Sequence, residues 1–221
     1  MGPNAGALGD AELIVLPGSK SVIADLAWLR ERGLAAAIVT AAGAGRPVLG
    51  VCGGYQMLGR MLRDPEGVES PVAAAPGLDL LPVETTFAPV KTTRRVRARL
   101  TGAGPFAAAA GVVAEAYEIH AGSTQALAPG LGRPFAIVER GGGEPDGAVV
   151  GSVVGTYLHG MLASGPVRRA LLDGLAARAG RAPHPGWGSA TPRAAHWDRL
   201  ADVVGGALDL AAIGKLVGRP L

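Results

Sequence analysis

The chain has little cysteine, few aromatic residues and no long hydrophobic run. Its one cysteine in 221 residues, Cys52, excludes an intrachain disulfide framework and is typical of a reducing compartment, so we expect a cytoplasmic location. Aromatic residues make up 4%, so the core must be mainly aliphatic. The longest apolar stretch, 33–45, is shorter than the roughly 20 residues of a membrane-spanning helix. We expect no signal peptide and no membrane contact.

The sequence also lacks a strong charge of one sign and a phosphate-binding loop. A dispersed net charge of +3 does not indicate a nucleic-acid partner. The closest approach to a Gly-Lys-Ser/Thr loop, Gly18-Ser19-Lys20, is too short and has the wrong order. We therefore expect no cofactor in this chain. Its length and 48% hydrophobic content predict one globular domain over 11–221 after a flexible tail over 1–10.

Short apolar runs alternate with helical spacing in the first part of the chain. This pattern predicts strands over 13–16 and 47–51 and helices over 19–32 and 55–63, while 34–44 fits a helix or a strand–helix mixture. The βαβα order predicts an α/β fold with a doubly wound, mostly parallel sheet flanked by helices.

The middle of the chain has the alternation of strands. Residues 85–100 place apolar side chains on one face and arginines on the other, and 117–120, 135–139 and 148–155 are further short strands. Helical spacing returns over 166–179 and over 195–216, where Gly205-Gly206 is expected to break the helix.

Cys52 lies at the junction of a predicted strand and a predicted helix. Its segment, Gly50-Val51-Cys52-Gly53-Gly54, has the G-x-C-x-G pattern of a nucleophile elbow. The helix that follows is expected to favour the thiolate. A lone cysteine is more often a buried packing residue, but such a residue does not need small neighbours in this order. We interpret Cys52 as a nucleophile.

A cysteine nucleophile needs a base, and His159 is the best candidate among four histidines. It follows an apolar strand, so it is expected at the same sheet edge as Cys52, where doubly wound sheets bind ligands. His120 also follows a strand and suits a role on the substrate side. His184 and His196 lie in, or just after, a loop rich in Gly, Pro and Trp.

Acyl chemistry at a thiol also needs an oxyanion hole. The N–H of Gly53, directly after the nucleophile, is one expected donor. Gly18, after the first strand, is the candidate for the second donor, although the dipeptide Pro17-Gly18 taken alone favours a plain turn.

Several segments together resemble a known family. Residues 50–59 resemble the nucleophile segment of class I (triad-type) glutamine amidotransferases, which have a flavodoxin-like architecture. The ordered set of segments is more narrowly similar to the glutaminase domain of cobyric acid synthases. These segments are 16–20, 50–59, 64–69, 77–81, 91–93, 117–120 and 155–160.

The resemblance implies an activity. Cys52 would attack the side-chain amide of glutamine, and His159 would activate the thiol and protonate the leaving ammonia. Gln56 would help to hold the substrate, with Tyr55 and His120 also on the substrate side. The ammonia would pass to an ATP-dependent synthetase that amidates carboxylates of a cobyrinate corrin ring, and ATP and Mg²⁺ would bind only at that partner.

The chain departs from the family pattern in two places. Met161 stands where triad-type enzymes often have a glutamate that orients the histidine, so a Cys–His pair or an orienter from elsewhere, conceivably Glu118, is expected. Without a phosphate loop, the chain is expected to be an excised domain or a subunit that acts with a separate synthetase.

Three alternatives stay open. The chain fits a glutaminase of a related ligase, acting on other cobyrinate carboxylates or on cell-wall precursors. It also fits a cysteine hydrolase with another substrate, or a non-catalytic subunit. A basic strand fits docking of an acidic corrinoid or of the synthetase, but such a run is more often a solvated face. Its residues are Lys91, Arg94, Arg95, Arg97 and Arg99.

Overall fold

The structure, a computed structural model, describes residues 8–189 and 193–218. Most of the predicted flexible tail, residues 1–7, lies outside the described residues. The chain forms two compact units, Met1–Gly188 and Ser189–Leu221. No helix of the described residues is both long and apolar enough to cross a bilayer.

A four-stranded sheet lies at the centre of the first unit. Its order is β1 (Ile14–Leu16), β2 (Val48–Val51), β10 (Val153–Thr156) and β9 (Ala148–Val150). The first three strands are parallel neighbours, and β9 is an antiparallel edge strand. Val48 and Leu49 are fully buried, as expected for a strand covered on both faces.

The helices of the first half connect these parallel strands. Helices α1 (Val22–Glu31) and α2 (Leu34–Gly43) follow β1, and α3 (Gly53–Leu58) follows β2. The ambiguous segment 34–44 is therefore a helix. Gly33 separates it from α1 with a φ of 69°, a conformation that glycine adopts at little cost.

The predicted helix over 55–63 is too long. Helix α3 ends at Leu58 because Gly59 has an extended backbone, with φ −67° and ψ 177°. Residues Met61–Arg63 form a strand, β3, in which the side chain of Leu62 is fully buried. The apolar spacing of this segment suits either element, and pairing with a distant strand decides it.

A second sheet of six strands completes the first unit. It contains β3, β4 (Ala74–Pro76), β5 (Val83–Leu100), β6 (Val113–Ala126), β7 (Ala136–Val138) and β8 (Glu144–Asp146). Only the β3–β5 pair is parallel. The α/β fold is thus confirmed, with a mostly antiparallel second sheet beside the parallel one.

The predicted alternation in β5 is confirmed. Val96, Ala98 and Leu100 are buried in an apolar cluster, while the arginines between them face outwards. Strand β6 pairs with β5 along most of its length, with an irregularity at Thr86/Lys91.

The C-terminal helices agree with the sequence except at one break. Helix α4 (Gly165–Arg178) closes the first unit. In the second unit, α5 (Arg193–Ala207) runs through Gly205-Gly206, and the chain breaks instead at Leu208. The reason is a cap: Asp209 accepts a hydrogen bond from Ala212 N–H at 2.9 Å and begins α6 (Leu210–Val217).

Candidate active site

Three site segments follow three neighbouring parallel strands. Gly18 comes after β1, Cys52 after β2 and His159 after β10, so all three lie at the carboxyl edge of the same sheet. They line one cavity of about 690 Å³. Gln56 and His120, also predicted to belong to the site, line the same cavity.

Cys52 has the backbone of a nucleophile elbow. Its φ of 53° and ψ of −112° lie in a strained region, and Asp79 is the one other non-glycine residue with a positive φ in the part of the chain described. Its N–H donates to Thr156 O at 2.8 Å, and its carbonyl accepts from Gln56 N–H at 3.0 Å. These bonds hold the turn in place.

The glycines beside Cys52 are required by close packing. A Cβ on Gly54 would lie 2.0 Å from Leu16 O, and one on Gly53 would lie 2.7 Å from Ser19 N. Helix α3 therefore begins directly against the end of β1, and only glycine allows this approach.

The Cys52 thiol is buried and points at a backbone carbonyl. It is 7% exposed, and its Sγ donates to Ile119 O at 3.4 Å. Burial raises the pKa of Cys52, although the N–H of Gly53 and the charge of Lys91 lower it. The expected effect of the helix start is present, because the Gly53 N–H favours the thiolate, but desolvation outweighs it in this structure.

The position of His159 is fixed by Tyr117 on β6. The two residues exchange backbone hydrogen bonds of 3.0 and 2.8 Å, and their rings stack with centroids 5.0 Å apart. Burial lowers the pKa of His159, which favours the neutral imidazole. Its Nε2 is buried and has no hydrogen-bond partner among the described residues.

Gly18 lies between the nucleophile and the histidine. A Cβ built on Gly18 would be 3.7 Å from Cys52 Cβ and 3.2 Å from His159 Cε1. The absence of a side chain at this position leaves the space between the two residues open.

No carboxylate of the described residues hydrogen-bonds to His159. Met161 is a buried apolar residue at 2% exposure. Glu118, the conceivable orienter, is instead paired with Arg94, which also bonds Glu144 at 2.9 Å. Glu118 thus forms an ion pair with Arg94 and does not contact His159 through a hydrogen bond.

The three remaining predicted substrate residues have different surroundings. Gln56 donates from Nε2 to Ala121 O at 3.2 Å and to Tyr157 Oη at 3.0 Å, while its Oε1 makes no hydrogen bond to the described residues. His120 stacks on Tyr157 with centroids 3.8 Å apart. Tyr55 does not line the cavity: its ring is buried and packs edge-on against Tyr157.

The cavity wall also carries charged side chains that no motif in the sequence marks as part of the site. Glu69 accepts from Val22 N–H at 2.8 Å, and its Oε2 is buried without a hydrogen bond to the described residues. Lys91 and Lys20 also line the cavity. The segment of Glu69 is ordered by Asp64, whose carboxylate accepts three backbone N–H bonds of 2.8 Å. In the sequence, the turn that Asp64 orders is marked by an aspartate followed by Pro-Glu-Gly, a combination typical of turns.

Other candidate residues lie outside the cavity wall. His184 is exposed, and the side chain of His196 lies outside the described residues. In the basic strand, Arg97 and Arg99 pair with Glu139. Lys91 is the one member of the five basic residues that lines the cavity in the part of the chain described. The described residues contain no cluster of three His, Cys, Asp or Glu side chains that could hold a metal ion.

Comparison with known proteins gives a family and relatives. The family profile described as "CobB/CobQ-like glutamine amidotransferase domain" matches residues 2–167. Cobyric acid synthase of Moorella thermoacetica is 44% identical over 97% of this chain, and that of Sorangium cellulosum is 46% identical over 96%. The chain covers only 43% and 44% of these two relatives.

Two solved structures have a similar fold. A crystal structure of a glutamine amidotransferase has a TM-score of 0.56 at 19% identity, covering 78% of this chain and 83% of that chain. The structure of PurLQS from Thermotoga maritima has a TM-score of 0.55 at 19% identity, covering 74% and 80%. At this identity the likeness is one of fold.

Proposed function

Because the chain belongs to the CobB/CobQ-like glutamine amidotransferase family, we propose that it hydrolyses glutamine to glutamate and ammonia through a thioester on Cys52. The observation that carries this proposal is the convergence of Cys52 and His159 at one cavity, at the ends of neighbouring parallel strands. The strained φ of Cys52 adds support, because such strain collects at functional sites.

The first half-reaction forms the thioester and releases ammonia. We assign the role of the base to His159 Nε2, which has no hydrogen-bond partner among the described residues. Nε2 takes the thiol proton while Sγ attacks the amide carbon of glutamine. The same proton then passes to the leaving nitrogen, the C–N bond breaks, and ammonia departs.

The second half-reaction regenerates the thiol. His159 Nε2 takes a proton from water, whose oxygen attacks the thioester carbon. The C–S bond breaks, glutamate leaves, and the proton returns to Sγ. A histidine whose pKa is lowered and a cysteine whose pKa is raised begin this cycle as neutral imidazole and thiol at neutral pH.

Both half-reactions develop negative charge on the carbonyl oxygen. We assign its stabilisation to the backbone N–H groups of Gly53 and Gly18. The N–H of Gly53 lowers the pKa of Cys52, and Gly18 is adjacent to both Cys52 and His159.

The charges of the cavity suit the two ends of a free amino acid. Glu69 carries a carboxylate oxygen without a hydrogen bond to the described residues, which suits the α-ammonium group of glutamine. Lys91 and Lys20 suit its α-carboxylate. Gln56, through Oε1, and His120 would contact the side-chain amide. Tyr55 would act indirectly, by packing against Tyr157.

The names of the relatives suggest the fate of the ammonia. Those relatives are called cobyric acid synthases, and this chain spans less than half of their length. We propose that a synthetase region outside this sequence uses ATP and Mg²⁺ to amidate carboxylates of a cobyrinate corrin ring with the ammonia, in the cytoplasm. Cobyrinate a,c-diamide synthesis and cell-wall precursor amidation are the alternative acceptor reactions.

Two assays test the glutaminase proposal. Purified chain is expected to release ammonia from glutamine, alone or with a cobyric acid synthase synthetase region added. A glutamine-analogue electrophile is expected to label Cys52, and glutamine is expected to protect it. Labelling by unrelated acyl electrophiles without protection by glutamine would instead favour another cysteine hydrolase, and an unreactive thiol would favour a non-catalytic subunit.

A further inference from the structure

Asp146 is a buried carboxylate that the reaction above does not use. It ends strand β8 and is 6% exposed. One carboxylate oxygen accepts from the hydroxyl of Thr156, and the other accepts from Tyr157 N–H at 3.1 Å. The Thr156 hydroxyl oxygen in turn accepts from Leu158 N–H at 3.0 Å. The carboxylate thus holds the segment that leads directly into His159.

The same segment also holds the nucleophile. The carbonyl of Thr156 accepts from Cys52 N–H at 2.8 Å, and Thr156 lies three residues before His159. The side chain of Thr156 is bound to Asp146 and its main chain to the elbow. Asp146 therefore touches a residue that connects the two catalytic segments.

A glycine contact brings Asp146 to this position. Gly147 has a φ of 72°, and a Cβ there would lie 2.2 Å from Gly155 O. The end of β8 consequently approaches β10 more closely than any side chain at 147 would allow. The antiparallel pairing of β9 with β10, with Ala148 opposite Gly155, continues to this point and places Asp146 beside Thr156.

We propose that Asp146 is the positioning residue of the Cys52–His159 pair. By fixing Thr156 and Tyr157, its carboxylate sets the separation of the elbow and the histidine, in a chain with Met161 at the usual acidic position. This inference rests on the proposed glutaminase function. Asp146 does not line the cavity, so its effect passes through the backbone and not through contact with substrate.

The surroundings of Asp146 set its pKa, and so the pH range in which both carboxylate oxygens can accept hydrogen bonds. Burial raises the pKa of Asp146 to about 6, and the nearby charge of Glu118 acts in the same direction. The two hydrogen bonds and the charge of Arg94 act in the opposite direction. Arg94 is itself paired with Glu118 and Glu144, and the charge of Asp146 raises the pKa values of the nearby phenols of Tyr55 and Tyr157. The carboxylate is ionised at neutral pH, and its protonation in acid removes one acceptor.

The first test separates kcat from KM. In Asp146→Asn, an amide group replaces one accepting oxygen, and we expect kcat for glutamine to fall about 10- to 100-fold, since small misplacements of reacting groups have effects of this size. KM is expected to stay within about twofold, because no substrate contact changes. Thr156→Val should lower kcat similarly, whereas Thr156→Ser keeps the hydroxyl and should restore it.

Glu144→Gln is the matched control for Asp146→Asn. Glu144 lies on the same strand, its carboxylate pairs with Arg94, and its side chain is 46% exposed. This variant is expected to leave kcat unchanged. Thermal melts of every variant report folding, and if Asp146→Asn fails to fold, the Thr156→Val and Thr156→Ser pair decides the question.

A second readout does not use glutamine. Alkylation of the single cysteine by iodoacetamide, followed against pH, reports the protonation of Cys52 whether or not the chain is a glutaminase. We expect Asp146→Asn and Thr156→Val to shift this profile, and Glu144→Gln and Thr156→Ser to keep it. If wild type releases no ammonia, the glutaminase proposal fails while the alkylation profiles still test positioning. Wild-type profiles and wild-type kcat in folded Asp146→Asn or Thr156→Val would overturn the inference.

Discussion

The ring of Tyr117 stacks on the ring of His159, with planes 11° apart and centroids 5.0 Å apart. Two backbone hydrogen bonds, of 3.0 and 2.8 Å, join the same residues. His159 is thus held by an aromatic face and a short β-bridge, without a carboxylate partner among the described residues. This arrangement gives the histidine a defined orientation without an acidic residue at the position of Met161.

Removal of the Tyr117 ring should disturb the orientation of His159. We expect Tyr117→Ala to lower kcat for glutamine about tenfold, since a stacked pair contributes about 0.5–1.5 kcal/mol. Tyr117→Phe keeps the ring and should retain most of the activity. Steady-state kinetics of both variants check this. Equal kcat values for Tyr117→Ala and wild type would contradict the role of the stack.

The pH dependence of the glutaminase follows from two shifted groups. Burial lowers the pKa of His159 below its usual 6.5, so the neutral base is present at neutral pH and is lost as the pH falls below that range. The pKa of Cys52 is raised above 9.0, so the thiol stays protonated through neutral pH. We expect kcat/KM to fall only in acid and to be flat around pH 7–8. A profile that rises steeply across pH 7–8 would contradict this pairing.

Charges of the cavity are expected to govern substrate binding. Glu69→Gln keeps an acceptor for Val22 N–H but removes the charge facing an α-ammonium group. We expect KM for glutamine to rise about tenfold or more, because hydrogen bonds to charged groups contribute about 1.5–3 kcal/mol. Lys91→Met should also raise KM.

Controls for these two variants lie on the same elements. Glu66 is exposed on the segment of Glu69, and Arg95 is exposed on the strand of Lys91; neither lines the cavity. Glu66→Gln and Arg95→Met should leave KM unchanged. A rise in KM for the control variants as large as for their partners would indicate a general effect of net charge.

Gly54, in the elbow, is expected to be necessary for the stability of the folded chain. Gly54→Ala would place a Cβ 2.0 Å from Leu16 O, and overpacking of this kind costs about 1–3 kcal/mol or more. Gly43→Ala is the control, because Gly43 has open space around its Cβ and lies at the end of helix α2. Alanine there should be neutral or stabilise by up to about 1 kcal/mol. Urea denaturation of both variants measures the difference, and equal midpoints would contradict the packing argument.

Local patterns in the sequence predict the framework of the site well. The apolar runs of β1 and β2, and the small residues around Cys52, specify a strand–turn–helix by themselves. The position of His159 after an apolar strand then predicts the same sheet edge, because parallel neighbours end together. Sequence reasoning had no similar signal for Met61–Arg63, which is a strand because it pairs with β5, far along the chain.

Residues that act from other elements could not be found in this way. Asp146 lies beside Thr156 because β9 and β10 pair with Ala148 opposite Gly155, and Glu69 lies on a loop that Asp64 orders. Neither relation has a fixed spacing in the sequence. The net direction of the Cys52 pKa could not be predicted for a similar reason, since the burial that raises it is a property of the assembled fold.

Glutamine turnover with and without Cys52 tests the central claim most directly. Wild-type chain, with a cobyric acid synthase synthetase region if needed, should release ammonia and glutamate in equal amounts, and mass spectrometry after rapid acid quenching should find a glutamyl group on Cys52. Cys52→Ala should lose both signals, while Glu144→Gln, prepared in parallel, keeps both. Ammonia release that survives Cys52→Ala at the wild-type rate would contradict the account.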